Sequence, residues 1–439
     1  MRRFFIFCLC CGLCAACGSR LPRQAGGRNF SGTTAGYTIS VHLTGAETPS
    51  PSPIYLALQQ GENILLVDSL SEVQANGTLR FSGSHPLTPG HYMFIQNERR
   101  LFPWLISASE PQEIAFSAEI QGGRTTRVEV LGSKENSAYI AFQNYVMDFG
   151  RRAGFSEADF ARFDAYTDSL AKAWPNSMLA MLARNASSPP LPEYLPLDDP
   201  RVLNTSILPL RLRNLFEKVV PPSPEYVIPV VDQILERATQ PDVRTYCAHF
   251  LLTYFMTTPI MGLEAVVIHL AENYYLNAKV PVRDSSLLYE LGLYVDFTKQ
   301  SLVGLPAPEL LMQDLQGGFV SLRELPADYT ILLFYDDACV VCREVLPEIE
   351  ALYRKYASKD LAVYAVYTQS VYKAWQDYAA GLPRDWVHVW DPEFGSGFHK
   401  RYGVTGTPKI YLIGPDKCIL GRELTPSALQ QMLSIHLAL

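Results

Sequence analysis

Apolar and polar positions alternate with period two from about residue 36 to residue 131. Tyr37, Ile39, Val41 and Leu43 fall on one side of a first strand. Residues 55–58, 64–67, 79–81, 92–95, 113–116 and 127–131 repeat the pattern, with turn residues such as Asn76-Gly77 between them. Short alternating strands bury one face each, so the pattern predicts a β-sandwich-like domain over 36–132. Pro49, Pro51 and Pro53 lack the N–H that a ladder requires and predict a loop. Beyond residue 133 the period lengthens. Ala138, Phe142, Tyr145, Val146 and Phe149, then Phe160, Phe163, Tyr166 and Leu170, recur at helical spacing, and 226–238, 243–257, 262–275 and 285–299 follow suit. The predicted helical domain covers 133–300, with five prolines between Pro189 and Pro200 interrupting it. From 302 a third pattern begins. After the stiff run Val303-Gly304-Leu305-Pro306-Ala307-Pro308, apolar strands at 330–335, 361–367, 387–390, 409–413 and near 418–420 alternate with helices at 340–357, 371–379, 395–402 and 426–437. Strands apolar along their whole length are buried on both faces, so 302–439 is predicted as an α/β domain with a covered sheet. The fold class is therefore multidomain α+β.

The amino terminus follows neither period. Arg2 and Arg3 precede an unbroken apolar run over 4–16, which ends at Cys17-Gly18-Ser19. A basic start, a short apolar core and small residues at its end predict a secretory signal at 1–16, followed by a tether at 17–35. Leu13-Cys14-Ala15-Ala16-Cys17 resembles a bacterial lipobox. That resemblance implies cleavage before Cys17, lipidation of its thiol, and a chain lipid-anchored to a membrane of the cell envelope, facing the periplasm. Composition narrows the picture further. Across 439 residues, 48% hydrophobic and 18% charged is a globular balance and excludes a disordered tail. Lys+Arg 37 against Asp+Glu 44 argues against a nucleic-acid partner held by a basic surface.

Nine cysteines matter less by number than by place. Cys8, Cys10, Cys11, Cys14 and Cys17 crowd the first 17 residues, and only Cys247, Cys339, Cys342 and Cys418 follow, which excludes a disulfide framework. Cys339-Val340-Val341-Cys342 stands where the 330–335 strand passes into a helix. Exposed N–H groups and the positive dipole end of a helix favour thiolate over thiol at that position. The two-residue spacer lets one turn bring the second sulfur to the first, so the pair can switch between dithiol and disulfide. On this reading Cys339 is the attacking thiol and Cys342 the resolving one. Half a zinc site and a permanent structural disulfide are the other readings. No second Cys/His pair follows, and so short a loop gains little from closure. No metal or cofactor is implied. Cys247 and Cys418 read as inert, and His42, His85, His91, His269 and His436 are scattered singly.

Residues 302–439 resemble the thioredoxin family, in particular its TlpA/ResA-like branch of exported thiol–disulfide oxidoreductases. The resemblance is carried by Gly304-Leu305-Pro306-Ala307-Pro308 with Asp314-Leu315-Gln316-Gly317-Gly318, by Leu332-Leu333-Phe334-Tyr335 leading into Cys339 and Cys342, by Pro347, and by Val404-Thr405-Gly406-Thr407-Pro408. It implies a cis Pro408 that sets the Thr407 backbone beside the cysteines, where an extended substrate segment pairs. The chain also departs from the family. Leu333 stands where thioredoxin has a buried aspartate that assists proton transfer, and Ala338 replaces the Trp before the first cysteine. Asp336 and Asp337 oppose a thiolate nearby, while Arg343 favours one. The Val-Val spacer supplies no cation, which points to a reductant more than to an oxidant. The whole chain resembles multidomain lipoproteins of Gram-negative bacteria.

The expected function is reduction of protein disulfides, with protein thiol/disulfide substrates and a membrane electron donor as partners. Two alternatives stand beside it. One is a binding or scaffold lipoprotein whose thioredoxin fold has lost its chemistry. The other is a thiol peroxidase, against which Asp336 counts, since peroxiredoxins place a Thr three residues before the peroxidatic cysteine.

Overall fold

The computed structural model describes residues 36–45, 53–70, 78–152 and 154–437. The leader, Cys17, the tether and the Asn76-Gly77 turn lie outside the described residues. Two compact units emerge, one of 1–221 with 230–247 and one of 222–229 with 248–439.

The first unit is built on eight strands: β1 (Tyr37–Thr44), β2 (Ile54–Gln60), β3 (Asn63–Leu70), β4 (Thr78–Gly83), β5 (Gly90–Gln96), β6 (Arg99–Ile106), β7 (Glu113–Gln121) and β8 (Arg124–Leu131). They form two four-stranded sheets, in the orders β4-β1-β7-β8 and β3-β2-β5-β6. β1 runs parallel to β7, so the sandwich is not a simple meander. Alternate residues of both sheets, among them Ile39, Val41, Phe81, Phe116, Leu56, Phe94 and Trp104, share one buried core. Trp104 stacks on Phe94 with ring centroids 5.5 Å apart.

Helices α1 (Lys134–Gly150), α2 (Glu157–Ala173), α3 (Met178–Ser187) and α4 (Ile207–Lys218) follow in this unit. Ser133 caps α1 by accepting from the Asn136 N–H, and Ser156 with Asp159 forms a capping box on α2. Two contacts bolt α1 to the sandwich. Asn136 exchanges hydrogen bonds with the Leu105 main chain at 2.7 and 2.9 Å. The buried Glu135 accepts from Ser107 at 2.8 Å and from the Leu179 N–H at 3.0 Å. The periodic reading missed β6, α3 and α4. β6 interrupts its alternation with Arg99-Arg100 and Pro103, and seven of the ten residues of α3 are buried, which leaves it little polar face to mark a period.

α5 (Pro224–Arg237) and α6 (Pro241–Thr257) carry the chain into the second unit, where α7 (Glu264–Leu270) and α8 (Ser285–Thr298) follow. Its α/β part comprises β9 (Leu311–Asp314), β10 (Phe319–Ser321), β11 (Tyr329–Tyr335), α9 (Val340–Tyr356), β12 (Leu361–Tyr367), α10 (Tyr372–Ala379), β13 (Val387–Trp390), α11 (Phe398–Arg401), β14 (Lys409–Ile413), β15 (Ile419–Gly421) and α12 (Pro426–His436). The strands make one seven-stranded sheet in the order β10-β9-β13-β12-β11-β14-β15. β11, β12 and β13 are parallel, and β14 is antiparallel to β11. The pleat divides β11 between two cores, with Ile331, Leu333 and Tyr335 on one face and Leu332 and Phe334 on the other. Both faces are covered, as the uninterrupted apolar strands predict. The Pro306 segment lies against Cys418, with the Gly304 N–H donating to the Ile419 carbonyl at 2.8 Å. Among the described residues no helix is long and apolar enough to cross a membrane.

Candidate active site

β11 ends at Tyr335, in the middle of the sheet, and the chain turns through Asp336, Asp337 and Ala338 into α9. Cys339 is the N-cap of that helix. Its extended backbone lets Sγ accept from the Cys342 N–H at 3.0 Å. Cys339 and Cys342 are paired as a disulfide, with Cα atoms 5.2 Å apart. The two sulfurs sit in different surroundings. Cys342 is fully buried in the core that holds Leu333 and Trp375, whereas Cys339 is partly exposed. Val340 and Val341 are exposed between them, so the rim of the site is apolar. Pro347 lies inside α9, at the position the sequence resemblance assigns it.

The loop before β14 approaches from the other side. The Thr407-Pro408 peptide is cis, and the Thr407 carbonyl oxygen lies 3.2 Å from Cys339 Sγ. The structure thus brings Cys339, Cys342, Thr407 and Pro408 together, 68 residues of chain separating Cys339 from Thr407. Cys17 lies outside the described residues.

Two carboxylates border the sulfurs, and each is engaged by a hydroxyl. Thr407 Oγ1 donates to Asp336 Oδ2 at 2.6 Å, and the Tyr367 hydroxyl donates to Asp337 Oδ1 at 2.6 Å. Burial, and then the bond to Asp337, push the Tyr367 phenol well above its ordinary value. Arg343 Nη2 donates to the Asp337 main-chain carbonyl at 3.2 Å. Tyr335 is fully buried beside Tyr367, with ring centroids 5.8 Å apart. Reading the sequence missed Tyr367 and the Asp336–Thr407 bond. The one trace of Tyr367 was that two adjacent predicted strands both end in tyrosine.

Of the two cysteines outside the pair, Cys247 is fully buried. Burial pushes the Cys247 thiol up to about 12, which leaves it protonated and unreactive. His388 is buried with its Nε2 2.9 Å from the Pro383 carbonyl.

Comparisons with known proteins match the carboxy-terminal part of the chain. Residues 303–421 match the AhpC/TSA family. The thiol–disulfide oxidoreductase ResA of Bacillus thuringiensis is 26% identical over 149 residues, which cover 32% of this chain and 81% of that protein. Its counterpart in Bacillus cereus is 25% identical over 141 residues, covering 31% and 76%. Among solved structures, a thioredoxin-like protein from Bacteroides caccae aligns over 48% of this chain and 77% of its own at 20% identity and a TM-score of 0.40. A domain of a possible thiol-disulfide isomerase from Cytophaga hutchinsonii aligns over 31% and 92% at 27% identity and a TM-score of 0.29. Over residues 303–421 the carboxy-terminal α/β domain, with its thioredoxin-like fold, is similar to the AhpC/TSA family.

Proposed function

We propose that this thioredoxin-like chain is an exported thiol–disulfide oxidoreductase that reduces protein disulfides through Cys339 and Cys342. One observation carries the reading: a half-exposed sulfur at a helix N-terminus, accepting a backbone N–H at 3.0 Å, is paired with a sulfur one turn inside that is fully buried. In the dithiol state the Cys339 thiolate attacks one sulfur of a substrate disulfide. The substrate S–S bond breaks, its other sulfur leaves and takes up a proton, and a mixed disulfide through Cys339 remains. The Cys342 thiolate then attacks the Cys339 sulfur and releases the second substrate thiol, leaving the Cys339–Cys342 disulfide. Two electrons from a dithiol donor in the membrane restore the pair. The main chain of Thr407-Pro408 offers an extended substrate segment a strand-like edge beside the sulfurs.

The address belongs to the same proposal. Cys17, freed by cleavage of the 1–16 leader, carries the lipid that holds the chain at a cell-envelope membrane facing the periplasm. Incorporation of a fatty-acid analogue that is lost in Cys17→Ala tests this part separately. The chemistry is tested with Cys342→Ser, which cannot resolve its intermediate. The expected result is mixed disulfides through Cys339 on diagonal gels, and their absence would favour the scaffold reading. Oxidation of the reduced pair by peroxide, faster than by a protein disulfide, would favour the peroxidase.

A further inference from the structure

Backbone pairing between β11 and β14 ends at Phe334 and Lys409. One step further stands Pro408, which has no N–H to give, and one step beyond that the register sets Asp336 opposite Thr407. Side chains take over where the ladder fails. Thr407 Oγ1 donates to Asp336 Oδ2 at 2.6 Å, and the carbonyl oxygen of the same Thr407 lies 3.2 Å from Cys339 Sγ. No proton lies on that sulfur in the disulfide. After reduction the Cys339 S–H has an acceptor in the carbonyl, whereas a Cys339 thiolate faces the negative end of the carbonyl dipole. The Cys342 N–H at 3.0 Å acts in the opposite sense.

We propose that Asp336 is a positioning residue: by holding the Thr407 hydroxyl it fixes the Thr407 carbonyl against Cys339, which keeps that thiol protonated until the N–H of an incoming segment takes the carbonyl over. The inference rests on the exchange chemistry proposed above and assigns the control of its first step. Among the described residues, the charged and titratable groups on the elements bordering Cys339 include Asp336 and Asp337 on its own loop, Arg343 and Glu344 on α9, Tyr367 on β12 and Tyr378 on α10. Tyr367 and Arg343 are engaged with Asp337, which leaves the Asp336–Thr407 pair as the bond that also carries the carbonyl facing the sulfur.

The test is alkylation of the reduced full-length chain with iodoacetamide across about pH 5 to 9, with Cys339 and Cys342 followed separately by peptide mass spectrometry. Asp336→Ala and Thr407→Val are each expected to move the Cys339 profile to lower pH and to speed its alkylation at neutral pH about fivefold, the size of one net hydrogen bond. The double variant should go no further than either single one. Thr407→Ser, which keeps the hydroxyl, should restore the original profile, and Asp336→Asn, which keeps an accepting oxygen, should lie nearer wild type than Asp336→Ala. If Asp336→Ala and Asp336→Asn shift the profile equally while Thr407→Val leaves it unmoved, Asp336 acts as a charge alone and the proposal is overturned. It is overturned equally if no variant moves the profile. A chain that follows the expected pattern yet reduces no protein disulfide would overturn the exchange reading and leave the clamp standing.

Discussion

Leu333 and Cys342 are both fully buried in one apolar cluster, so the inner sulfur shares its core with hydrocarbon at the position where the family resemblance implies a carboxylate. A buried acid would have to be paired or held neutral there, and Leu333 asks for neither.

Leu333→Asp is therefore expected to destabilise the carboxy-terminal domain, by about 3 kcal/mol or more, because the new carboxyl enters a packed face without a donor. Urea unfolding followed by tryptophan fluorescence measures this. A variant as stable as wild type would show that water or a donor reaches the position.

Tyr367→Phe removes the hydroxyl that Asp337 accepts and leaves a half-buried carboxylate short of a donor. The expected loss is about 1–3 kcal/mol, with the fold retained because the ring is unchanged. The same unfolding assay reads it, and Asp337→Asn in the Tyr367→Phe background should recover part of the loss.

His91 predicts a pH dependence in the first unit. Gln143 donates to the Tyr139 hydroxyl at 2.7 Å, and that hydroxyl lies 2.7 Å from His91 Nε2, where a neutral ring unprotonated at Nε2 can accept its proton. Burial, with Arg100 as a lesser cause, lowers His91 from 6.5 to about 4. A depressed value means that the unfolded chain binds the proton first. The stabilisation is complete above about pH 6.5 and is lost as the pH falls toward 4, by up to about 3 kcal/mol. His91→Gln keeps an acceptor for Tyr139, so the difference in stability between wild type and variant should shrink steadily as pH is lowered through this window. A difference independent of pH would contradict the assignment.

Cys339→Ser and Cys342→Ser should differ in kind. The first removes the nucleophile and is expected to lower disulfide reduction ~1000-fold or more, with no trapped adduct. The second should react once and stop. Stopped-flow reduction of a disulfide-bonded peptide separates a missing first step from a missing second one.

Much of this protein is written locally in its sequence. The period-two run of β1, the helical spacing of Phe142, Val146 and Phe149, and the apolar β11 each follow from how many faces a segment buries, which a few neighbouring residues suffice to specify. The Cys339–Cys342 spacing and its place after a strand are equally local, and they suffice to point at the chemistry. Other features depended on which distant segments meet. β1 pairs in parallel with β7 across a long stretch of chain, Asp336 meets Thr407 only because β11 and β14 share a register, and Arg343 donates to the Asp337 main-chain carbonyl. Side-chain period records burial, and burial is indifferent to which partner provides it. The cysteine pair is therefore legible from the sequence alone, while the groups that surround it are assembled by strand register and became visible only in the tertiary structure.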